Sequence, residues 1–312
     1  PLTKGSIFLN GQEITKQPLE KRNLSYVPQD LALFPHLRVT DNIFYGLRMK
    51  GIKDPEHIRM VDLLMETVGI KELAHRSVRN LSGGEKQRVA LVRAIAAGNK
   101  HLLLDEPFSS LHQGLRRELW FVLKELQRSF DLTVLMVTHD MEEAFFLGDL
   151  VSVMIDGTIC QTGAARDVYE KPADRAVASF FGIRNIFSGR VRVRTNSSLQ
   201  ITCDALGADL IMPIEATLQR QLEPGSPCTV GIRPANVMIL KPERPNYVQD
   251  NLLTGVLTEI LLKGASHTLL FRPAGTTTAV EIEIPDYALK KLQLNKGDGI
   301  TLFFKGETLF LL

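Results

Sequence analysis

Two acidic residues stand side by side after an apolar run in the middle of the chain. Residues 101–107 read His-Leu-Leu-Leu-Asp-Glu-Pro, which is typical of a buried strand that ends at Asp105 and Glu106. Because neighbouring strand residues point in opposite directions, the two acids cannot do the same work. One can hold Mg²⁺, and the other can orient and deprotonate a water that attacks a terminal phosphate. Taken alone, the pair also fits a strand that merely reaches solvent.

A glycine-containing segment precedes these acids. Residues 81–88 read Leu-Ser-Gly-Gly-Glu-Lys-Gln-Arg, and a helical pattern follows at 89–97. Ser82 and Glu85 have the spacing of a capping box, which predicts that a helix begins here. The two glycines between them leave backbone N–H groups uncovered, and such a helix N-terminus binds phosphate well. The full segment is far more specific than a capping box alone.

A histidine and a glutamine follow two other predicted strands. The apolar run 132–137 ends before Thr-His-Asp, so His139 is expected at the same sheet edge as Glu106, where it can contact a γ-phosphate. Gln29 follows Tyr-Val-Pro and can coordinate Mg²⁺ or the attacking water through its amide. The apolar residues within 30–36 either form a docking surface or fold into the local core.

These residues need an α/β scaffold to bring them together. Residues 1–180 alternate short apolar runs with amphipathic stretches, which predicts an α/β domain with a largely buried sheet. From Gly189 onward, short alternating segments separated by Gly, Pro and Asn predict antiparallel β structure. We therefore expect a first domain over 1–184 and a β domain over 185–312. The predicted elements are strands at 102–104, 132–137, 190–194, 229–232 and 280–284 and helices at 85–97 and 115–130.

The predicted β domain contains a weak internal repeat. Asn-Ile-Phe-Ser-Gly at 185–189 resembles Asn-Leu-Leu-Thr-Gly at 251–255, and residues 224–230 resemble 296–302. Two copies of a small barrel-like unit would give this pattern. Chance similarity between glycine-containing hairpins would give it too.

Composition narrows the class of protein. The formal net charge is +2, from 37 basic and 35 acidic residues, so no nucleic-acid partner is indicated. The cysteines Cys160, Cys203 and Cys228 are too few and too scattered for a disulfide framework or a zinc site, and they fit a reducing cytoplasm. No apolar run approaches the roughly 18 residues that cross a bilayer, so any membrane role would need a partner.

Together, these segments resemble the nucleotide-binding subunits of ABC importers, whose motifs occur here in the family's order over residues 1 to about 185. The matching segments are the Q-loop at Gln29, the signature at Leu81–Gln87, Walker B at Leu102–Glu106, the D-loop at Ser109–His112 and the switch histidine at His139. The resemblance implies an α/β, P-loop NTPase-like ATPase domain. The tail resembles the small all-β, OB-like TOBE domains of importers for oxyanions, metal ions, polyamines and sugars.

The resemblance also implies how such a subunit works. Glu106 and His139 would be catalytic, and Asp105 and Gln29 would hold Mg²⁺. Two copies would pair head to tail, so that each signature faces the ATP of the other copy. The residues that would contact ATP are Gln29, Ser82, Gly83, Gly84, Glu85 and Gln87.

A membrane location follows from the same resemblance. The homodimer would lie at the cytoplasmic face of the membrane as a peripheral component beneath integral permease subunits. The loop around Leu31–Tyr45 would contact the permease. A periplasmic or extracellular binding protein would act with the assembly indirectly.

Two features depart from the family pattern. The phosphate-gripping Walker A loop, Gly-x-x-x-x-Gly-Lys-Ser/Thr, is absent from the 312 residues, as is the aromatic residue that usually stacks on adenine before it. We therefore expect that the first strand, the loop and the first helix of the ATPase domain are missing, and that the chain as given binds nucleotide poorly. His112 replaces the usual D-loop aspartate, so coupling between the two ATP sites is expected to differ.

Three functions compete for this pattern. The first is an importer ATPase; the second, favoured by the missing loop, is a non-catalytic regulatory or ligand-sensing protein. A soluble ABC-type ATPase of translation or DNA repair fits least, because neither heptads nor a second signature occurs. The passage 178–191 looks most like that of molybdate or tungstate importers, but polyamine and ferric-ion systems look similar, so the cargo stays open between an oxyanion and these alternatives.

Overall fold

The chain folds into two compact units, Pro1–Asp149 and Leu150–Leu312. The computed structural model describes residues 3–214, 222–240 and 250–312. Each unit has its own hydrophobic core, and each is described by itself below. Within the described residues, no helix is both long enough and apolar enough to span a bilayer.

The first unit is built on a parallel sheet with helices. Its elements are β1 (Phe8–Leu9), β2 (Gln12–Glu13), β3 (Leu24–Val27), α1 (Val39–Lys50), α2 (Pro55–Thr67), α3 (Gly83–Ala96), β4 (His101–Asp105), α4 (Gln113–Phe130), β5 (Thr133–Val137) and α5 (Met141–Leu147). Strands β3, β4 and β5 pair in that order and run parallel, while β1 and β2 form a separate antiparallel pair. The predicted strands at 102–104 and 132–137 and the predicted helices at 85–97 and 115–130 are confirmed.

The two faces of the parallel sheet differ in burial. One face carries Val27, Leu102 and Leu104, which are buried in a core shared with α1 to α4. The other face carries apolar side chains that stay open: Tyr26 is 55% exposed, Leu135 65% and Val137 60%. Both faces of a parallel sheet are normally covered. The parallel sheet and its helices confirm the α/β prediction. The predicted burial of the sheet, however, is found on only one face within the described residues.

The second unit begins with a hairpin and two short helices and continues as antiparallel β structure. Its elements are β6 (Leu150–Ile155), β7 (Thr158–Ala164), α6 (Ala165–Glu170), α7 (Arg175–Phe180), β8 (Ile186–Arg194), β9 (Ser198–Cys203), β10 (Ala208–Pro213), β11 (Pro227–Ile232), β12 (Val237–Leu240), β13 (Leu252–Lys263), β14 (Ser266–Pro273), β15 (Val280–Pro285), α8 (Asp286–Leu292), β16 (Gly299–Phe304) and β17 (Leu309–Leu311). The predicted strands at 190–194, 229–232 and 280–284 are confirmed.

Two five-stranded sheets of this unit have matching strand orders. One runs β10-β9-β8-β11-β17, and the other, counted in the matching direction, runs β15-β14-β13-β16-β12. In each sheet the last strand comes from the other half of the sequence, since β17 pairs with β11 and β12 pairs with β16. The predicted duplication stays a prediction, and this exchange of strands supports it.

Bulges and buried asparagines also match between the two halves. The register shifts between Val191 and Val193 in one sheet and between Leu257 and Glu259 in the other. A buried asparagine precedes the first strand of each half and hydrogen-bonds to the third strand of the opposite sheet. The pairs are Asn185 with Glu281 (2.7 and 2.8 Å) and Asn251 with Ile211 (2.6 and 2.7 Å).

The helices before the β tail are packed into the second unit. The Arg233 guanidinium lies 3.7 Å from the ring centroid of Tyr169, and it also donates to the Tyr169 carbonyl. Ala178 and Ile183 share a buried cluster with Phe310. The compact unit therefore includes residues 150–184 with the tail, and the domain boundary at 184/185 stays a prediction from sequence.

Candidate active site

Glu106 turns away from its strand at the carboxyl edge of the parallel sheet. Strand β4 ends at Asp105, and the next residue has a left-handed backbone with φ of +44°. The Glu106 N–H donates to the Val137 carbonyl at 2.9 Å, which ties this turn to the end of β5. Strand alternation alone would place the two acids on opposite faces of the sheet. The structure separates them by this turn.

The Glu106 carboxylate lies between a glutamine and a histidine. Gln29 Nε2 donates to Glu106 Oε2 at 3.3 Å, and His139 Nδ1 lies 3.1 Å from Glu106 Oε1. The side chain of Glu106 is 29% exposed and that of His139 is 67% exposed, so both are open to a ligand. The structure thus brings together three residues that are separated by 77 and 33 positions in the sequence.

Asp105 has a different neighbour. The Tyr26 hydroxyl donates to Asp105 Oδ2 at 3.1 Å, and this hydrogen bond raises the pKa of the Tyr26 phenol above its ordinary value. Tyr26 pairs in register with Leu103 across β3 and β4, which puts it on the same sheet face as Asp105. Sequence reasoning missed Tyr26 as a site residue. The alternation of β3 was the signal that could have found it.

The donor set at this edge fits a Mg²⁺ ion bound with a nucleotide. Mg²⁺ prefers one or two carboxylates together with phosphate oxygens and water. Asp105 supplies a carboxylate, and the Gln29 amide nitrogen faces Glu106, which leaves its oxygen for a ligand. Within the described residues, no group of three or more His, Cys, Asp or Glu side chains is arranged to hold a metal ion. A Mg²⁺ ion at this edge would therefore need phosphate oxygens and water as further ligands.

A buried acid fixes the segment around His139. Glu143 accepts hydrogen bonds from Trp120 Nε1 at 3.2 Å and from the Thr138 hydroxyl. Burial raises the pKa of the Glu143 carboxyl. Asp140 caps α5 by accepting from the Glu143 N–H at 3.2 Å. Sequence reasoning missed Glu143, although its three-residue spacing from Asp140 is typical of a helix N-terminus.

The D-loop segment Ser109–His112 is held by an arginine that sequence reasoning also missed. Arg116 donates to the carbonyls of Leu111 (2.7 Å) and Ser109 (3.0 Å) and pairs with Asp140 at 3.0 Å. This one side chain links the D-loop to the residue after His139. His112 is the N-cap residue of α4, without a hydrogen bond from its side chain to the cap.

The signature segment begins α3 as predicted. The Ser82 hydroxyl accepts from the Glu85 N–H at 3.3 Å, and Glu85 Oε2 accepts from the Ser82 N–H at 2.7 Å, which lowers the pKa of the Glu85 carboxyl. Ser82, Gly84 and Glu85 line a cavity of about 730 Å³. Gly83 is open to solvent at the same helix start, where a Cβ would lie 3.1 Å from Leu111.

Gln87 occupies a different environment from the other predicted ATP contacts. It is 1% exposed, and its amide nitrogen has no hydrogen-bond partner among the described residues. Within that part of the chain, no hydrogen bond or ion pair joins Ser82 or Glu85 to Glu106. The hydrogen bonds thus connect Glu106 with Gln29 and His139 at the sheet edge, and Ser82 with Glu85 at the start of α3.

The loop after Gln29 packs part of its apolar side chains against the local core, and the predicted docking surface stays a prediction. Leu31 and Leu33 pack partly against the core of the first unit. The Phe34 ring is half-buried, and its centroid lies 4.4 Å from that of Tyr45, which is exposed on α1, with the two rings tilted by 42°. Apolar surface thus remains on this side of α1.

Comparison with known proteins agrees with the geometry. A protein-family model described as ABC transporter matches residues 1–109. A molybdate/tungstate import ATP-binding protein from Pyrococcus abyssi is 40% identical over 236 residues, which cover 76% of this chain and 64% of that protein. Its counterpart from Thermococcus kodakarensis is 42% identical over 235 residues, which cover 75% and 67%. A spermidine/putrescine import ATP-binding protein from Nitratidesulfovibrio vulgaris is 36% identical over 300 residues, which cover 96% and 79%.

A sheet edge that gathers two acids, a glutamine and a histidine defines an α/β protein suited to phosphate chemistry. With the relatives above, the particular family follows: the chain belongs to the ABC transporter family of ATP-binding proteins. It spans between 54% and 67% of the length of the molybdate/tungstate relatives it matches.

Proposed function

We propose that this chain is the ATP-hydrolysing subunit of an ABC importer. The observation that carries the proposal is the Glu106 carboxylate, held between Gln29 and His139 at the carboxyl edge of a parallel sheet. Ligands of open α/β sheets bind at this edge. The relatives, which are named as import ATP-binding proteins, support the same function.

Glu106 acts as the general base in this proposal. A water held by Glu106 and Gln29 attacks the γ-phosphorus of ATP while Glu106 accepts its proton. The bond from the γ-phosphorus to the ADP oxygen breaks, and ADP and phosphate are formed. His139 contacts the γ-phosphate and keeps the water in line. A Mg²⁺ ion held by Asp105 and Gln29 would neutralise negative charge on the phosphates.

Two copies of the chain are needed to complete the site. The start of α3 in one copy, with Ser82, Gly83 and Gly84, faces the ATP that lies at Glu106 of the other copy. Glu85 supports this helix start through the capping box, and the ATP contact of Gln87 stays a proposal. Ser82 and Gly83 are exposed at this helix start, so they are open to a ligand held by another copy, which supports this arrangement.

We propose that the backbone contacts to the ATP phosphates come from a strand–loop–helix unit whose strand pairs with β5. Within the described residues β5 is an edge strand, and the face beside it leaves Tyr26, Leu135 and Val137 open. A strand along β5, followed by a helix over this face, would cover these side chains. Its connecting loop would bring backbone N–H groups to the sheet edge that holds Glu106.

The remaining partners complete the proposed assembly. The surface around Leu31–Tyr45, where the Phe34 ring contacts Tyr45, would contact integral permease subunits at the cytoplasmic face of the membrane. A periplasmic or extracellular binding protein would deliver the cargo. The molybdate/tungstate relatives support an oxyanion. Uptake of labelled tungstate against labelled spermidine, in cells that express the chain with its permease, would separate the two cargo classes.

An extended chain tests the ATPase proposal. A segment of a family member that carries the Walker A loop is joined ahead of Pro1, and phosphate release is measured with ATP and Mg²⁺. We expect turnover, and Glu106→Gln in the same extended chain should lower it by about 10²- to 10⁴-fold because the base is lost. The unextended chain is measured in parallel. A folded extended chain that binds ATP without turnover would contradict the proposal and favour the non-catalytic, ligand-sensing function.

A further inference from the structure

The loop after Gln29 contains two residues in an unfavourable backbone conformation. Leu31 has φ of +64° and Ala32 has φ of +43°, and neither residue is glycine. Residues other than glycine rarely adopt this left-handed region, because their Cβ comes too close to the following carbonyl oxygen. Such a loop persists only where its surroundings hold it in place.

Arg93 holds these two residues directly. It lies on α3, and its guanidinium donates to the Leu31 carbonyl at 2.7 Å and to the Ala32 carbonyl at 2.6 Å. The same guanidinium lies 5.5 Å from the centroid of the Phe34 ring, within range of a cation–π contact. The planar fork of arginine suits two neighbouring carbonyls in a way that lysine cannot match. Arg93 is partly buried, which lowers the pKa of its guanidinium.

Asn42 holds the other end of the loop. It is fully buried on α1, accepts from the Phe34 N–H at 2.8 Å and donates to the Phe34 and Arg38 carbonyls at 3.1 Å. Phe34 is therefore fixed by α1, while Leu31 and Ala32 are fixed by α3. Gln29 lies two residues before the part that Arg93 holds.

We infer that Arg93 is a positioning residue, which sets the reach of Gln29 toward Glu106 by clamping Leu31 and Ala32 to α3. This inference depends on the proposed function for its catalytic consequence. Because Ser82 is the N-cap residue of α3, the clamp makes the loop move with the helix that faces the second copy's ATP. A single side chain thus links the signature segment to Gln29 and to the permease-facing surface.

Hydrogen exchange on the full chain tests the clamp without any need for activity. Arg93→Met should raise exchange across residues 29–37 by about tenfold or more, because the strained loop opens locally. Arg93→Lys should raise the exchange rate less than Arg93→Met, since an ammonium group can donate to these carbonyls but lacks the planar fork that fits both at once. Arg22→Met is the matched control: Arg22 donates to the carbonyls of Gln17 (2.9 Å) and Thr15 (3.1 Å) in another turn of the same unit. Unchanged exchange at 29–37 in both Arg93 variants would overturn the clamp.

Kinetics of the extended chain test the positioning role. Arg93→Met should lower kcat by about tenfold with little change in KM for ATP, because a misplaced Gln29 affects the chemical step. The effect should largely disappear in a Gln29→Ala background, whereas Arg22→Met should leave kcat unchanged. If Arg93→Met lowers kcat by the same factor with and without Gln29→Ala, Arg93 does not act through Gln29 and its positioning role is overturned. If no variant, including the unsubstituted extended chain, hydrolyses ATP, the proposed function fails, and the exchange result still decides whether Arg93 clamps the loop.

Discussion

Glu106 lies in a backbone conformation that few glutamates adopt. Its φ of +44° is in the left-handed region, where a side chain costs about 1 to 2 kcal/mol. Two hydrogen bonds to its carbonyl, from the N–H (3.3 Å) and hydroxyl (3.0 Å) of Ser109, hold the turn from the other side. The turn carries the carboxylate out of the strand and between Gln29 and His139. Strain of this kind gathers at functional sites, and here it positions the proposed base.

The Tyr26–Asp105 contact gives a prediction about pH. Since the bond to Asp105 raises the pKa of Tyr26, the contact stabilises the folded chain below the phenol's ordinary pKa of 10.0 and is lost as pH rises through the higher folded-state pKa. Asp105→Asn should lower the folded-state pKa of Tyr26 toward its ordinary value, because the carboxylate charge is removed. Ultraviolet difference titration measures it, with Tyr26→Phe identifying which of the 5 tyrosines responds. An identical titration with and without the Asp105 carboxylate would count against the contact.

The capping box at the start of α3 should contribute to stability. Ser82→Ala should lower the free energy of unfolding of the first unit by about 1 kcal/mol, since the Glu85 N–H loses its acceptor. Trp120, the single tryptophan, is buried in this unit and reports its urea unfolding by fluorescence.

Ser82→Asp separates the structural role of the cap from the proposed ATP contact. Aspartate is as good an N-cap as serine, so stability should be kept. Its negative charge would repel a phosphate at the helix start, so turnover in the extended chain should fall. Equal stability of Ser82→Ala and the unsubstituted chain would show that the cap contributes little.

Features set by short spacing could be predicted from the sequence. The start of α3 follows from Ser82 and Glu85, and β4 and β5 follow from their apolar runs. The clamp of Arg93 could not be predicted, because it joins residues 61 and 62 positions apart and depends on how α3 packs on the loop. The turn at Glu106 was missed for a related reason: its left-handed backbone depends on a hydrogen bond to β5, not on any local glycine.

The two sheets of the second unit are completed by strands exchanged between the two halves of its β sequence. Each half places its last strand in the sheet of the other half, and a buried asparagine from each half bonds to the opposite sheet. Loss of either asparagine would leave part-buried backbone groups of an edge strand without these partners, at about 1 to 3 kcal/mol each.

Asn185→Ala and Asn251→Ala test this reciprocal link. Both should destabilise the second unit by roughly 2 kcal/mol or more. Asn251→Ala should cost more, because Asn251 also donates to the Phe304 carbonyl at 2.8 Å and has φ of +59°. Hydrogen exchange of β10 and β15 in the full chain is the suitable readout, since Trp120 lies in the first unit. Wild-type protection of both strands in both variants would argue against the link.

The structure of the extended chain carrying Glu106→Gln, trapped with ATP and Mg²⁺, tests the proposed shared site most directly. We expect a head-to-tail dimer in which Ser82 of one copy lies within hydrogen-bonding distance of the γ-phosphate that contacts position 106 of the other copy. ATP bound at position 106 with Ser82 of the second copy far from the phosphates would contradict it.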